Sequence, residues 1–278
     1  MFSYLKVTPH IYHIQDQMGV CMTLIIGKES SILLDTGYGT ENVSSYIRSL
    51  TKLPCHVILT HGHHDHILGA RWFSETWLSA DDMNEFSLRT GAAQRRQVLQ
   101  QALNKGISVP DDFLTAVFQM PSTLSFPSRF AGFETASEIP GGPDLYIMHI
   151  PGHTPGSLMA YHPDDNILVT GDNWNPCTWL WFPSAVPLQQ WRKNMLRLRQ
   201  NLDPFKPRIL CSHQHAVYSW EEFTAYLDYI TEDRITHAAM VPIHPTIHTV
   251  QIENKDKGWT FVFDWDKYIK EREISGIS

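Results

Sequence analysis

The densest group of metal-binding side chains in this sequence lies within residues 60–66, which read Thr-His-Gly-His-His-Asp-His. Five of these seven side chains can bind a transition metal, and they directly follow Val57-Ile58-Leu59, an apolar run typical of a buried strand. Imidazole favours zinc, iron, copper and nickel, whereas carboxylate favours harder cations. The mixture predicts a metal site that performs chemistry. A solvated histidine-rich tract is the alternative, but it would have no matching ligands elsewhere.

Matching candidate ligands occur at three later positions, each after an apolar run that reads as a strand. They are His153, Asp172 and His213. Ligands carried on loops at strand ends are typical of active sites in α/β folds. Gly152 and Gly171, which precede two of them, permit sharp backbone turns close to an ion. The sequence therefore predicts that distant loops complete the site begun by residues 60–66.

The elements that must position these residues alternate between strands and helices, which predicts an α/β fold. Predicted strands cover residues 11–14, 20–26, 31–34, 57–59, 126–133, 145–150, 158–161, 167–170 and 209–211. Predicted helices cover residues 40–50, 81–90, 92–105, 111–118, 188–202 and 219–233, the last opened by a capping box. Residues 247–252 and 259–263 predict an antiparallel hairpin. We predict one domain over residues 1–278, with a helical insertion at about 80–120.

Composition limits the classes of function. The chain has 278 residues, of which 42% are apolar and 18% are charged, and its formal net charge is -7. This acidic balance provides no basic field for a phosphate backbone, so no nucleic-acid partner is expected. No apolar stretch could span a bilayer and residues 1–6 begin no secretory signal, which predicts a cytoplasmic protein without a membrane partner. The four cysteines show no CxxC pairing, so buried free thiols are expected.

Five motifs occur in an order that resembles the metallo-β-lactamase superfamily. They are Asp35-Thr36-Gly37, the H-x-H-x-D-H pattern of residues 61–66, P-G-H-T-P-G-S at 151–157, the pair Gly171-Asp172 and the lone His213. The resemblance covers about residues 10–220. It implies a four-layer αββα sandwich, in which two β-sheets pack face to face, helices lie outside, and metals bind at one edge.

The resemblance also implies a two-metal site. By position in the motifs, one metal would be held by His61, His63 and His153, the other by Asp65, His66 and His213, and Asp172 would bridge them. Asp35 would orient a ligand histidine through a hydrogen bond, although this residue type is also a common turn former. His64 occupies the variable position of its motif and is not expected to be a ligand. His215 is predicted to support the site, to donate a proton or to lie at its rim.

A site of this kind predicts hydrolysis. Zinc is the expected metal, and iron and manganese also accept these ligands. Open coordination positions are typical of catalytic sites, and two bridged ions can hold a hydroxide between them. We therefore predict cleavage of an ester, lactone or thioester, with Asp65 assisting proton movement. The alternatives are a phosphodiesterase, a mononuclear iron dioxygenase acting on persulfides, and a metal-binding protein without catalysis.

Two positions distinguish branches of the superfamily. True zinc β-lactamases of the best-known class have a cysteine where Asp172 stands and a residue other than histidine where His66 stands. The chain therefore looks more similar to the glyoxalase II and lactonase branch. Glyoxalase II continues into a C-terminal helical domain for glutathione, whereas here one helix and a hairpin are predicted after His213, which puts a thioester substrate in doubt.

Two segments are predicted to shape the pocket. The insertion at about 80–120 forms either a lid or a dimer surface. The segment after Asp172 contains Trp174, Trp179 and Trp181, which either form an apolar wall near the metals or pack the loop onto the core. A wall of this kind would indicate a small-molecule substrate with an apolar portion.

Overall fold

A computed structural model of the chain describes residues 1–136 and 142–275. The described strands are β1 (Ser3–Lys6), β2 (Ile11–Gln15), β3 (Cys21–Ile26), β4 (Ser31–Leu34), β5 (Cys55–Ile58), β6 (Trp77–Leu78), β7 (Ser122–Thr123), β8 (Ser128–Phe130), β9 (Phe133–Thr135), β10 (Tyr146–His149), β11 (Leu158–His162), β12 (Ile167–Val169), β13 (Cys177–Leu180), β14 (Arg208–Leu210), β15 (Ala239–Met240), β16 (Thr249–Asn254) and β17 (Trp259–Asp264). The described α-helices are α1 (Val43–Leu50), α2 (His64–Ile67), α3 (Met83–Arg89), α4 (Ala92–Asn104), α5 (Leu188–Leu202), α6 (Trp220–Tyr229), α7 (Glu232–Thr236) and α8 (Trp265–Ser275).

The first sheet contains β1 to β7 in the order of the chain. β1 to β4 form an antiparallel meander, and β4 to β7 then run parallel to one another. Parallel neighbours need crossover connections, and α1 provides one between β4 and β5. Because β4 and β5 are parallel, the loops that follow them emerge at the same edge of the sheet. Asp35 begins one of these loops, and His61 lies in the other.

The second sheet has the strand order β14-β12-β11-β10-β9-β8. Its pairs are antiparallel except β12 with β14, which are parallel in the register Val169 to Leu210. The loops after β12 and β14 therefore also leave the sheet at a common edge. They carry Asp172 and His213.

The two sheets pack face to face, with helices on the outer faces. Apolar residues from both sheets form the central core, among them Ile32, Leu34, Ile58, Ile147, Leu158, Val169 and Leu210. Val43, Ile47 and Phe86 from α1 and α3 cover the outer face of the first sheet. Residues of α5 and α6 cover the outer face of the second sheet. The predicted αββα sandwich is confirmed.

Local sequence signals explain why α5 and α6 form and how they pack. The predicted apolar stripe of α5, Trp191, Met195, Leu198 and Leu202, is fully buried, because these spacings place the four side chains on one face. The predicted capping box at the start of α6 is present: Ser219 Oγ accepts a hydrogen bond from Glu222 N, and Glu222 Oε2 accepts one from Ser219 N.

The insertion between β6 and β7 contains fewer helices than predicted. Helices α3 and α4 form, but residues 111–115 form turns and residues 116–118 have no regular secondary structure. This segment makes short-range bonds such as Phe113 N to Pro110 O and Thr115 N to Asp112 O, which do not extend into a helix. Phe113 instead packs against Leu68 and Val98. In a segment this short, the hydrogen bonds of a helix do not by themselves offset the free-energy cost of helix nucleation. Burial of Phe113 in the tertiary structure therefore sets its conformation.

The C-terminal part also differs from expectation. The predicted hairpin is confirmed as β16 and β17. The helix after Ser219 ends at Tyr229 rather than near residue 233, because Thr231 caps the separate helix α7. Helix α8 was not predicted, and neither was the third sheet, in which β13 pairs in parallel with β17. Both bring the tail against the aromatic segment that follows Asp172.

Among the described residues, no helix is both long enough and apolar enough to cross a bilayer. The four cysteines are free, as expected. Cys21 and Cys211 are buried, but Cys177 is exposed, which corrects the expectation that all four thiols are buried.

Candidate metal centre

The seven predicted ligands are brought together in two groups at one edge of the sandwich. One group contains His61, His63 and His153, and the other contains Asp65, His66, Asp172 and His213. Within each group, the candidate ligand atoms all lie within 4.8 Å of one another. The grouping follows from the fold, since the loops after β5, β10, β12 and β14 all supply members.

The carboxylate of Asp172 lies between the two groups. Its Oδ2 atom is 2.9 Å from His213 Nε2 and 3.4 Å from His66 Nε2 in its own group. The same atom is 3.6 Å from His153 Nε2 and 4.0 Å from His61 Nε2 in the other group. One oxygen therefore faces four imidazole nitrogens from both groups, which is the placement that a bridging ligand requires.

The first group is electrically neutral. Burial lowers the pKa of His61 and His63 well below the ordinary value for histidine, and the neighbouring imidazoles lower it further. Burial also lowers the pKa of His153, whose Nε2 lies 2.9 Å from His63 Nδ1. Neutral imidazoles keep a nitrogen lone pair free, and that lone pair is what a metal ion binds.

The second group combines carboxylates with imidazoles. Burial disfavours charge on His66, but Asp172, Asp65 and Asp35 outweigh it and raise the pKa of His66 well above its ordinary value. The pKa of the Asp172 carboxyl is held well below its usual range, because His213 and His66 outweigh the effect of burial. The same balance, with His66 and His64 as partners, lowers the pKa of Asp65. This group concentrates negative charge. Protons neutralise that charge, and a divalent cation can take their place.

Buried polar atoms without hydrogen-bond partners test whether metal ions fit these residues. The buried polar atoms without a hydrogen-bond partner among the described residues include His61 Nε2, His66 Nε2 and Asp172 Oδ1. Buried polar atoms in proteins are otherwise almost always paired. All three belong to the two groups and are atoms that can donate a lone pair to a metal. The residues present therefore fit divalent metal, and imidazole with carboxylate suits zinc, iron or manganese.

Asp35 and Thr60 orient two of the candidate ligands. Asp35 Oδ2 accepts hydrogen bonds from Thr60 Oγ1 at 2.8 Å and lies 2.9 Å from His66 Nδ1. Because the Thr60 hydroxyl proton goes to Asp35, its oxygen accepts from His61 Nδ1 at 3.1 Å. Both histidines are thereby held through Nδ1, with Nε2 on the side of the site. Asp35 has a φ of 68°, a left-handed conformation that costs about 1 kcal/mol or more in a residue with a side chain.

Asp82 is a buried residue of the site that the sequence did not reveal. Its Oδ2 accepts hydrogen bonds from Gly62 N at 2.8 Å and Thr154 Oγ1 at 2.7 Å, and its Oδ1 accepts one from Gly156 N at 2.8 Å. Burial raises the pKa of this carboxyl, and the three donors oppose that shift. One side chain thus ties the loop carrying His61 and His63 to the loop carrying His153.

Glycine is required at position 62 by the close approach of α3. A Cβ atom there would lie 2.7 Å from Glu85 Cβ and 2.9 Å from Phe86 N. Because Gly62 separates His61 from His63, this close packing helps to hold the two imidazoles at the site.

Three further contacts hold His153. Its backbone N–H donates to Asn173 Oδ1 at 2.7 Å, and its Nδ1 donates to the carbonyl oxygen of Trp179 at 2.6 Å. Asn173 is fixed in turn by a hydrogen bond from its Nδ2 to Ile150 O at 2.6 Å. The Phe182 ring lies 5.1 Å from the His153 ring, at nearly a right angle. The aromatic segment therefore holds a ligand as well as contributing to the pocket.

A cavity of about 540 Å³ opens onto both groups. Its lining includes five of the candidate ligands, namely His63, Asp65, His153, Asp172 and His213. Trp179, Trp181 and Phe182 form an aromatic wall. Tyr38, His64, Arg89 and Gln101 line other parts of it. Burial raises the pKa of the Tyr38 hydroxyl, so this group remains a protonated hydrogen-bond donor at neutral pH.

Trp174 and His215 are not among the described residues that line the cavity. Trp174 is 1% exposed and packs against Tyr218, Phe223 and Tyr226, so it belongs to the core and not to the cavity wall. The Trp174 ring is buried more completely against helix α6 than it would be on the open wall of the cavity. His215 is not among the described residues that line the cavity; its Nε2 lies 3.0 Å from the backbone oxygen of His13.

A family model of the metallo-beta-lactamase superfamily matches residues 17–222. The chain belongs to this superfamily. A curated relative in Bacillus subtilis (strain 168), named "Probable metallo-hydrolase YqgX", is 24% identical over 157 residues, which is 53% of this chain and 63% of the relative. The chain therefore spans less than two thirds of that relative's length.

Solved structures with the superfamily fold agree with the described architecture. A metallo beta lactamase from Erythrobacter litoralis aligns with a TM-score of 0.56 and 15% identity, over 82% of this chain and 95% of that one. The sec-alkylsulfatase Pisa1 from Pseudomonas sp. aligns with a TM-score of 0.63 and 17% identity, over 82% of this chain and 40% of that one. At this identity the similarity establishes the fold. The metallo-beta-lactamase fold implies divalent-metal binding, and the two groups are the candidate sites for it.

Proposed function

We propose that the protein is a hydrolase that uses two divalent metal ions to cleave a small ester, lactone or thioester. The observation that carries this proposal is the position of Asp172 Oδ2, within 4.0 Å of imidazole nitrogens from both groups, at the floor of an open cavity. A structural metal site is closed by its ligands, whereas this one borders space for a substrate.

The residues divide as the two groups indicate. His61, His63 and His153 would hold one ion, Asp65, His66 and His213 the other, and Asp172 both. When bound, two such ions supply a water nucleophile that is active at neutral pH and polarise the scissile group. Zinc is the metal we propose first, and iron and manganese are compatible with the same ligands.

Asp65 is the catalytic residue of this proposal. It lines the cavity, and neighbouring imidazoles hold its pKa well below the usual range against the effect of burial, so it is ionised at neutral pH. An ionised carboxylate beside the nucleophile can accept a proton and pass it to a leaving group. Tyr38, protonated and in the same cavity, can donate a hydrogen bond to a substrate oxygen.

The pairing of Asp172 with His66 supports placement near the glyoxalase II and lactonase branch. Asp172 supplies a hard oxygen ligand where the true β-lactamases described above have a thiolate, and His66 Nε2 lies 3.4 Å from it. The aromatic wall supports a small-molecule substrate with an apolar portion. The single-domain organisation, the cytoplasmic location and the choice between lid and dimer surface for the insertion stay predictions.

Metal analysis combined with a substrate panel tests the proposal. The purified protein should contain two equivalents of divalent metal per chain and hydrolyse activated aryl esters, lactones or thioesters. Metal removal by a chelator and His61→Ala should each abolish turnover. His237→Ala changes a histidine whose side chain is 77% exposed, and this matched control should behave like the parent.

The alternatives predict different results. One equivalent of iron with oxygen uptake on persulfides would identify a dioxygenase, and preferential cleavage of phosphodiesters would identify a phosphodiesterase. Bound metal without turnover on any of these substrates would leave a metal-binding protein. Unchanged ester hydrolysis by His61→Ala would show that the reaction occurs somewhere other than the site described here.

A further inference from the structure

Arg89 introduces a fixed positive charge into the cavity. Among the described residues that line it, Arg89 is the only arginine or lysine. It is the last residue of α3, in the insertion between β6 and β7. Its side chain is 23% exposed, so the charge acts in a partly dehydrated setting where it interacts more strongly than on an open surface.

The guanidinium is held in place and still has free donors. Arg89 Nε donates to Glu85 Oε2 at 3.0 Å, and Nη1 donates to Gln94 Oε1 at 3.4 Å. Nη2 has no hydrogen-bond partner among the described residues. A guanidinium carries five N–H donors, and the two bonds described use only two of them. Its orientation is therefore fixed without exhausting its capacity to bind a ligand.

Glu85, the partner of Arg89, links the guanidinium to the candidate metal centre. Glu85 is not among the described residues that line the cavity. Its Oε2 atom, which accepts the bond from Arg89 Nε, is also 4.0 Å from His63 Nε2. One carboxylate oxygen thus connects the guanidinium to a candidate metal ligand, and Arg89 itself lines the cavity.

The aromatic wall supplies the complementary apolar surface. Trp181 and Phe182 stack with ring centroids 4.3 Å apart, and Trp179 lies 5.7 Å from Trp181. Trp181 is 8% exposed, and its Nε1 has no hydrogen-bond partner among the described residues. The cavity therefore combines flat apolar surface with one guanidinium.

We propose that Arg89 forms a carboxylate-binding subsite and that the substrate is an amphipathic acid: a small ester, lactone or thioester with an apolar or aryl portion and a carboxylate. A planar guanidinium matches a carboxylate with two parallel hydrogen bonds, which a Lys side chain cannot reproduce. The aryl or alkyl portion packs on Trp179, Trp181 and Phe182. This inference rests on the proposed hydrolytic function and adds the substrate class to it.

Matched pairs of esters test the subsite by turnover. One pair is 4-acetoxybenzoate and 4-acetoxybenzamide, with the charge on the leaving group. In the other pair, phenyl esters have an acyl chain that ends in a carboxylate or a carboxamide. The parent should prefer the carboxylate in at least one pair. Arg89→Met should reduce that preference about tenfold or more, chiefly through KM, since a charge-assisted hydrogen bond is lost. Arg89→Lys should restore part of it.

Arg96→Met is the matched control. It removes the same charge from an exposed position on α4 of the same insertion, so a general electrostatic effect would appear in both variants. Arg96→Met should leave the preference unchanged. If Arg89→Met and Arg96→Met give the same preference as the parent in both pairs, the subsite does not exist.

Ligand binding separates failure of the subsite from failure of the proposed function. Tryptophan fluorescence can follow binding of 3-phenylpropionate and 3-phenylpropionamide to the metal-loaded parent and Arg89→Met. Preference for the carboxylate that is lost in Arg89→Met, without turnover of any ester, would support the subsite and reject hydrolysis. Ester turnover with no dependence of either binding or kinetics on Arg89 would support hydrolysis and reject the subsite.

Discussion

The Asp35 carboxylate and the His66 imidazole form a buried pair, with 2.9 Å between Asp35 Oδ2 and His66 Nδ1. The side chains of both residues are at most 2% exposed. The contact directs Nε2 of His66 toward Asp172 and Asp65. Through Thr60, the same carboxylate also determines which nitrogen of His61 is protonated. Asp35 therefore acts on one ligand from each of the two groups.

Asp35→Asn should weaken metal binding without removing a ligand. The amide can keep the contact with Thr60 but is a poorer acceptor for His66 Nδ1–H, and partners of this kind typically change metal affinity by about 10- to 100-fold. Competition with a chromophoric chelator measures the loss. Asp35→Glu, which keeps the charge and displaces it by one methylene, should also bind metal weakly. Metal affinity equal to that of the parent in Asp35→Asn would mean that Asp35 serves only as a turn former.

Asp82→Asn should loosen the first group in particular. All three groups that bond to the Asp82 carboxylate are donors, and an amide nitrogen cannot accept from any of them. We expect a loss of about 1–3 kcal/mol in stability from the unpaired donors, together with weaker binding of one metal equivalent. Metal titration followed by calorimetry measures both effects.

The neighbouring Asp81 provides the control for that variant. Its side chain is 57% exposed and it contacts only His149 among the charged groups described. Asp81→Asn should match the parent in stability and metal content. Equal effects of the two substitutions would show that the charge of the segment, and not the link between the two loops, is responsible.

The grouping of the ligands could be predicted from the sequence because each ligand follows a recognisable strand. β4 with β5, and β12 with β14, are parallel pairs, so loops far apart in the chain meet at one edge. Asp82 could not be found in this way. Two adjacent aspartates before α3 look like ordinary helix-start residues, and the partner Thr154 is 72 positions away. Local patterns carry no information about a contact of that range.

The positions of the rings in the aromatic segment also could not be predicted from local sequence patterns. Composition indicates that its rings are buried or line a pocket but not which ring does which. For Trp179 the parallel pairing of β13 with β17 decides this, because it sets the alternation of side chains along Cys177–Leu180. That pairing joins segments more than 80 residues apart, and the same contact accounts for the unpredicted position of α8 against the core.

Trp174→Ala should destabilise the fold and not act on substrate binding. Removing a ring that is 1% exposed leaves a cavity in the core, and such substitutions cost about 3–5 kcal/mol. Urea unfolding measures this loss. Trp179→Ala, at a ring that is 40% exposed, should change stability far less but raise KM for aryl esters. A higher KM with normal stability in Trp174→Ala would instead return that residue to the cavity wall.

His13 should make folding stability dependent on pH. Its pKa is lowered from 6.5 to about 4, chiefly by burial and also by the nearby His215, against hydrogen bonds to backbone groups that raise it. Its ring nitrogens lie 3.1 Å from Thr23 Oγ1 and from Gln214 O, so it anchors the loop that follows His213. Because the unfolded chain takes up a proton at higher pH than the folded chain, stability is full above about pH 6.5 and falls as the pH decreases toward 4. The loss approaches about 3 kcal/mol.

Comparison with His13→Gln isolates this contribution from other titrating groups. Glutamine keeps a donor and an acceptor but does not titrate, so the variant should be less stable than the parent at pH 7.5 and the gap should narrow toward pH 4.5. Denaturant unfolding at several pH values, with metal content held equal, measures the gap. If the gap does not change with pH, His13 has the same protonation state in the folded and unfolded chains, and the loop after His213 is held independently of its titration.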